Sequence, residues 1–190
     1  MINRRKRRRL VVIIFIASAL YILSMKIPYL LKAIYPIKYE NIINRNADEY
    51  KLDPYLVAAI IKVESRYDSF AKSNKGALGL MQIKLSTGKW IGEKLGIKGL
   101  DEEVLYDPEI NIKMGCWYLN YLLKYYNGDL QLALVAYNGG QGNVSKWLKD
   151  SNFSDNGVTL KVIPFEETRL YVEKVGKTYK IYNKIYKSSN

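Results

Sequence analysis

The sequence predicts an all-α domain, with little or no sheet, behind one N-terminal transmembrane helix. Three observations carry this expectation. Residues 10–25 read LVVIIFIASALYILSM, uncharged throughout, directly after a block of arginines. Residues 111–126 place small or apolar residues at 112, 115/116, 119, 122/123 and 126, the 3.6-residue period of a helix. The apolar–polar alternation of a half-buried strand is essentially absent, and no internal repeat is visible.

The first element is the membrane end. Arg4, Arg5, Lys6, Arg7, Arg8 and Arg9 hold five of the chain's eight arginines. The uncharged run after them spans roughly 24 Å as a helix, short of the ~30 Å hydrocarbon core. Extension to Leu31 closes the gap if Lys26 snorkels its ammonium to the interface. The positive-inside rule then keeps residues 1–9 in the cytoplasm as a basic segment, makes 10–31 a signal anchor, and exports the remainder of the chain. A cleaved signal peptide is the rival, because Ala17-Ser18-Ala19 has the small-x-small form. Cleavage there would leave Leu20-Tyr21-Ile22-Leu23 as an apolar mature end, so an uncleaved anchor is favoured. No cysteine comes after the run at a position suited to lipid attachment. Residues 32–40 serve as a connector, with Pro28 and Pro36 marking the stretch around it, and 41–187 form the exported domain.

The formal charge of +12 belongs largely to the membrane end. Seven of the 30 Lys/Arg precede residue 28, which leaves 23 against 18 Asp/Glu beyond it. Nucleic acid is therefore not an expected partner. Within the domain, Asn41 to Tyr50 reads as a first helix. Asp53-Pro54 is an N-cap followed by proline at the first helical position, which starts a helix over Tyr55 to Ser65. Asn111 to Tyr126 is the strongest helix. Asp129 caps a run to Tyr137 that Asn138-Gly139-Gly140 terminates. Glu166 to about Tyr186 is the last.

The chain contains no histidine. That removes the usual general base, the usual zinc ligand and every Ser-His or Cys-His nucleophile pair. The single cysteine, Cys116, has no partner for an internal disulfide and reads as a small core residue. No metal and no cofactor is expected. Acid–base chemistry falls to Asp, Glu, Tyr or Lys.

Val57, Ile60 and Glu64 sit at i, i+3 and i+7, so the carboxyl shares the apolar face of its helix. A carboxyl drawn toward the core keeps its proton to higher pH, as a proton donor must near neutrality. A glutamate at a helix end turned out to solvent would fit the same spacing. The next segment, Gly76-Ala77-Leu78-Gly79, lets backbone approach a ligand closely. Ser73 and Gln82 add a hydroxyl and an amide suited to a polar, uncharged ligand such as a sugar. Tyr137-Asn138 stands at a helix end beside glycines, though one tyrosine of seventeen could also be core or surface filler. Glu167 and Tyr171 lie at i and i+4 on one helical face, as a plain salt-bridging helix start would also place them.

Over about residues 41–187 the sequence resembles the lytic transglycosylases of glycoside hydrolase family 23, which are related in fold to goose-type lysozyme. The resemblance rests on four blocks in order. The first is Glu64-Ser65, then Ser73 nine residues after the glutamate, then GALGLMQ from Gly76 to Gln82. NIKMGCWYL (111–119), ALVAYNGGQGNV (133–144) and PFEETRLYV (164–172) are the other three. It implies a lysozyme-like α domain with Glu64 as the catalytic acid. Ser73, Met81, Gln82, Tyr137, Asn138, Glu167 and Tyr171 would bind a peptidoglycan glycan strand. Two departures are visible. Lys84-Leu85 stand where the family usually has Met-Pro, and Gly139-Gly140-Gln141-Gly142 where it often has Ala-Gly-Pro-Gly.

The implied reaction needs one carboxyl. Glu64 protonates the oxygen between N-acetylmuramic acid and N-acetylglucosamine, then takes the proton from the sugar's own 6-hydroxyl as a 1,6-anhydro ring closes. A tethered nucleophile has so high an effective concentration that a second carboxylate is dispensable. Two other readings stay open: a hydrolytic muramidase assisted by Glu167 or Asp68, and a non-catalytic peptidoglycan-binding module of an envelope complex. The expected location is the bacterial cytoplasmic membrane, crossed once, with the catalytic domain outside.

Overall fold

A computed structural model describes residues 4–187. The chain divides into two compact units, one made of residues up to Ile37 together with those from Lys184 on, the other of Lys38–Asn183.

In the first unit, helix α1 runs over Arg4–Ile34. Its 31 residues rise about 46 Å, and it is long and apolar enough to cross a membrane. None of its apolar stretch is buried by protein. Two hydroxyls inside it bond back to the helix's own carbonyls, Ser18 to Ile14 at 2.8 Å and Ser24 to Tyr21 at 2.7 Å. Such bonds leave no hydroxyl needing water inside lipid. The helix continues through Pro28 to Ile34, so the stretch between helices is shorter than the two prolines suggest. Leu30, Leu31, Lys32 and Ala33 are good helix formers, and the second helix opens at Glu40. At the unit's other end the Tyr186 hydroxyl donates to the Tyr35 carbonyl at 2.9 Å, with the Lys32 ammonium 5.2 Å from the Tyr186 ring centre.

The second unit is helical. Helices α2 (Glu40–Glu49), α3 (Pro54–Glu64), α4 (Leu85–Leu95), α5 (Pro108–Tyr125), α6 (Leu130–Gly139) and α7 (Gln141–Leu148) lie within it, and α8 (Glu166–Tyr186) begins in it. Sheet is as sparse as expected: among the described residues it is one small hairpin, in which β1 (Ala77–Leu78) pairs antiparallel with β2 (Ile83–Lys84). A 3-10 turn at Val104–Tyr106 leads into α5. Helix α5 packs against α2, α4 and α6, and helix α3 is deeply set, with Leu56 to Ile61 all buried. Its start is fixed twice over, because one Asp53 carboxylate oxygen caps the Tyr55 amide at 2.8 Å and the other accepts from the Tyr179 hydroxyl of α8 at 2.9 Å. Helix α5 gives the core Ile112, Met114, Cys116, Leu119 and Leu122, and α6 gives Leu132 to Ala136.

Helices α4 and α7 were not legible as separate elements. Neither is opened by a side-chain cap. Helix α4 carries two buried glycines, Gly88 and Gly92, where α4 meets Leu100, Leu105 and Met114, and these blur its apolar stripe. Helix α7 comes after α6 through Gly140 alone, whose positive φ of 89° turns the chain.

Candidate active site

Glu64 is the last residue of α3. The helix ends there because the Ser65 hydroxyl bonds back to Ile61 and accepts from the Tyr67 amide, while Arg66 and Tyr67 take left-handed conformations. That turn is held from inside. The buried Tyr67 hydroxyl reaches the Ala58 carbonyl and the Tyr182 hydroxyl, each at 3.1 Å. Glu64 therefore has a fixed position on a cleft of about 530 Å³, which Ser73, Asn74, Lys75, Gln82, Tyr137, Asn138 and Glu167 also line.

The electrostatics of Glu64 are those of a proton donor. Its carboxyl is pushed up to about 7, chiefly by desolvation. The Tyr171 hydroxyl partly opposes this and the negative charge of Glu167 adds to it. The C-terminal end of a helix carries partial negative charge, which also disfavours a carboxylate there. Tyr171 is buried, and its hydroxyl interacts with Glu64 without reaching good hydrogen-bond geometry to any group. Burial and the Glu64 charge hold the Tyr171 and Tyr137 phenols well above their usual value, so both stay protonated.

The far wall is the segment from Ser73 to Lys84. Ser73 closes a tight turn, accepting from the Ala77 amide through its side chain at 3.0 Å. Its hydroxyl proton stays available to the cleft. Gln82 adopts a positive φ of 51°. Its amide nitrogen donates to the carbonyls of Gly79 and Ala71 at 2.8 and 3.2 Å. That fixes which end of the amide is used for structure and leaves the oxygen as the free acceptor.

Of the residues expected to face the ligand, Met81 does not. Its side chain is fully buried against Gly115, where an added Cβ would lie 2.2 Å from the sulfur. The turn that presents Gln82 to the cleft sends its neighbour the other way. Met81 contributes backbone instead: its carbonyl accepts the Tyr137 hydroxyl at 2.9 Å and its amide donates to Asn111 at 2.7 Å. Tyr171 likewise stands behind Glu64 rather than on the cleft surface. Asn138 is oriented by Thr168, whose hydroxyl donates to the amide oxygen at 2.8 Å and so leaves the nitrogen as donor. Glu167 is exposed and salt-bridged to Lys75, both of them on the cleft.

Sequence reasoning passed over Asn111, Thr168, Lys75 and Tyr118. Asn111 is completely buried and makes three bonds, donating to the Leu78 and Leu105 carbonyls at 3.0 and 2.7 Å besides accepting from Met81. Its signal was an asparagine at the start of a helix's apolar face, a position that needs partners. Thr168 gave a weaker form of that signal, and the Lys75–Glu167 pairing spans too much chain to be read. Cys116 is free and buried, with its thiol pushed up by desolvation, and it takes no part in the site.

Residues 41–158 match the transglycosylase SLT domain family. The chain is 34% identical over 143 residues to the soluble lytic murein transglycosylase of Escherichia coli (strain K12), covering 74% of this chain and 22% of that protein. It is 33% identical over 173 residues to the membrane-bound lytic murein transglycosylase C of Edwardsiella ictaluri (strain 93-146), covering 78% of this chain and 47% of that protein. Its structure is similar to that of an inactive mutant of the lytic transglycosylase Slt from Pseudomonas aeruginosa. There the TM-score is 0.71 and the identity 35%, over 81% of this chain and 25% of the other. The chain thus spans less than half the length of each of these proteins. The helical, lysozyme-like architecture expected from the sequence is borne out, and the chain belongs to the transglycosylase SLT domain family.

Proposed function

We propose that this chain is a membrane-anchored lytic transglycosylase that cuts the β-1,4 bond between N-acetylmuramic acid and N-acetylglucosamine in peptidoglycan, leaving 1,6-anhydro-muramic ends. The observation that carries the proposal is the isolation of Glu64. Among the described residues only two carboxyls line the cleft, and the other, Glu167, is exposed and paired with Lys75. Asp68 is not on the cleft and accepts a hydrogen bond from the Phe70 amide. A double-carboxylate glycosidase needs its second group close across the scissile bond and free to act. Glu64, by contrast, can hold a proton at neutral pH and take one back.

The steps balance on that one group. The Glu64 carboxylic acid gives its proton to the bridging oxygen as the C1–O bond breaks, and the N-acetylglucosamine side leaves as an alcohol. The carbohydrate cation is held by its own acetamido group, with Ser73, Gln82 and Asn138 positioned to bond the strand's polar groups. The C6 hydroxyl then attacks C1 and gives its proton to the Glu64 carboxylate, which restores the starting acid. A protonated Tyr171 beside Glu64 stabilises the carboxylate between the two steps.

Anchoring is part of the proposal. It is supported by the arginine block, by a following helix of sufficient length and by the likeness to a membrane-bound relative. In fractionated cells the chain should resist salt and yield to detergent, and an external protease should remove residues beyond about 40. Release by salt would refute this part. For the chemistry, the detergent-solubilised full chain is incubated with purified peptidoglycan and the released ends are identified by mass. Anhydro ends support the proposal, reducing ends indicate a hydrolase, and no release indicates a binding module.

A further inference from the structure

The cleft holds one charge that the proposed chemistry does not use. Among the described residues four acidic or basic side chains line it, Glu64, Lys75, Lys84 and Glu167. Lys75 and Glu167 neutralise one another in a salt bridge, and Glu64 holds its proton to about 7. Lys84 is left over. It is exposed and belongs to none of the salt bridges among the described residues. The first turn of α4, which it opens, contains no acidic residue. Nor does it tune the acid, because the carboxyl of Glu64 is moved by its own burial, by Tyr171 and by Glu167.

The hairpin directs this side chain. Lys84 ends β2 and lies opposite Ala77, another residue of the cleft wall. Alternation along the strand buries Ile83 and turns Lys84 outward. The family usually has Met-Pro where Lys84-Leu85 stand, so this chain replaces a neutral side chain by one of similar reach that ends in an ammonium.

We propose that Lys84 is a specificity-determining residue, which pairs with a carboxylate borne by a muramic acid unit of the bound strand. The inference rests on the transglycosylase reading for the identity of that strand. The sugar rings themselves are uncharged, and the anionic groups hang from the lactyl ether of muramic acid. Where the stem peptide has been removed, the lactyl carboxylate is free. Where the stem is attached, that carboxyl is an amide and the charge lies further out, on the peptide. Both offer a carboxylate to a compact cation on a flexible four-carbon stem. Lys84 thus adds a preference for charged strands that a methionine at this position lacks.

The test uses the Glu64→Gln full chain in detergent and three soluble oligomers of alternating N-acetylglucosamine and N-acetylmuramic acid. In the first the lactyl carboxylates are free, in the second they are capped as methylamides, and in the third they carry stem peptides. Affinities are measured by calorimetry with and without Lys84→Met. The substitution should weaken binding of a charged oligomer about three- to tenfold, between the worth of an exposed ion pair and that of a charged hydrogen bond. Binding of the methylamide oligomer should not change. A loss on the first oligomer assigns the lactyl carboxylate, and a loss on the third assigns the stem. Lys84→Arg should keep the parent's affinity, and the loss should shrink in high salt. A loss as large on the methylamide oligomer, or none on either charged one, overturns the inference. The transglycosylase reading is judged separately, by the ends released from peptidoglycan by the unmodified chain.

Discussion

Replacing Glu64 by glutamine should stabilise the protein, and by an amount set by pH. The carboxyl is moved from its ordinary 4.5 up to about 7, so ionising it costs about 3 kcal/mol more in the folded chain than in the unfolded one. Proton counts set the sign. Below pH 4.5 both folded and unfolded chains hold the proton. Between 4.5 and 7 the unfolded chain has released it while the folded chain keeps it, so stability falls as pH rises. Above 7 the full deficit is present. Glutamine carries no charge in either state and has no such slope. In thermal unfolding of the full chain in detergent, followed by circular dichroism, Glu64→Gln should melt about 6–12 °C above the parent at pH 8.5. The difference should shrink toward zero at pH 4.5. The same variant should lose about 10²–10⁴-fold in rate, and the parent's activity should decline as pH rises through 7. A melting difference that does not change with pH, or a parent that melts higher at alkaline pH, would refute the desolvated-acid argument.

Two neighbours should move that alkaline limb in opposite directions. Tyr171→Phe removes the hydroxyl that pulls the Glu64 pKa down, so the limb shifts to higher pH. Glu167→Gln removes a charge that pushes it up, so the limb shifts to lower pH, with a smaller loss of rate than Glu64→Gln. Both are read from rate–pH profiles, and shifts of equal sign would be inconsistent with this geometry. Gly79→Ala should lower the melting temperature by about 4–8 °C, a loss of about 2 kcal/mol. Its Cβ would lie 2.4 Å from both the Asn111 amide and the Leu105 carbonyl, at a φ of +72°; an unchanged melt would show that the loop yields there.

What could be read from the sequence was whatever is written locally. Asp53-Pro54 and Asp129 announce their helices because a cap is a bond between residues two or three apart, and the structure starts α3 and α6 there. The same Asp-Pro signal at Asp107-Pro108 opens α5 three residues before Asn111, where periodicity alone began it. The position of Glu64 was set by its spacing to Val57 and Ile60, both fully buried. What was not legible was direction within a continuous motif. Leu80-Met81-Gln82 reads as one block, yet the positive φ at Gln82 turns that side chain to the cleft while Met81 fills the core. The orienting bonds from Thr168 to Asn138 and from Asn111 to the loop join residues about thirty positions apart. Pairing at that distance leaves no periodic trace.

The three bonds of Asn111 divide the catalytic wall into a front and a back. They hold Leu78, Met81 and Leu105 from behind, through main-chain atoms that any residue would supply. The side chains that line the cleft on the front take no part in that grip. Lys84, which lines the cleft, and Gln141, which lines a smaller concavity beside it, lie at positions that depart from the family pattern, and neither belongs to the Asn111 clamp. The wall can therefore be resurfaced without being refolded. The side chains at such positions can change while the loop opposite Glu64 stays held by a single buried amide.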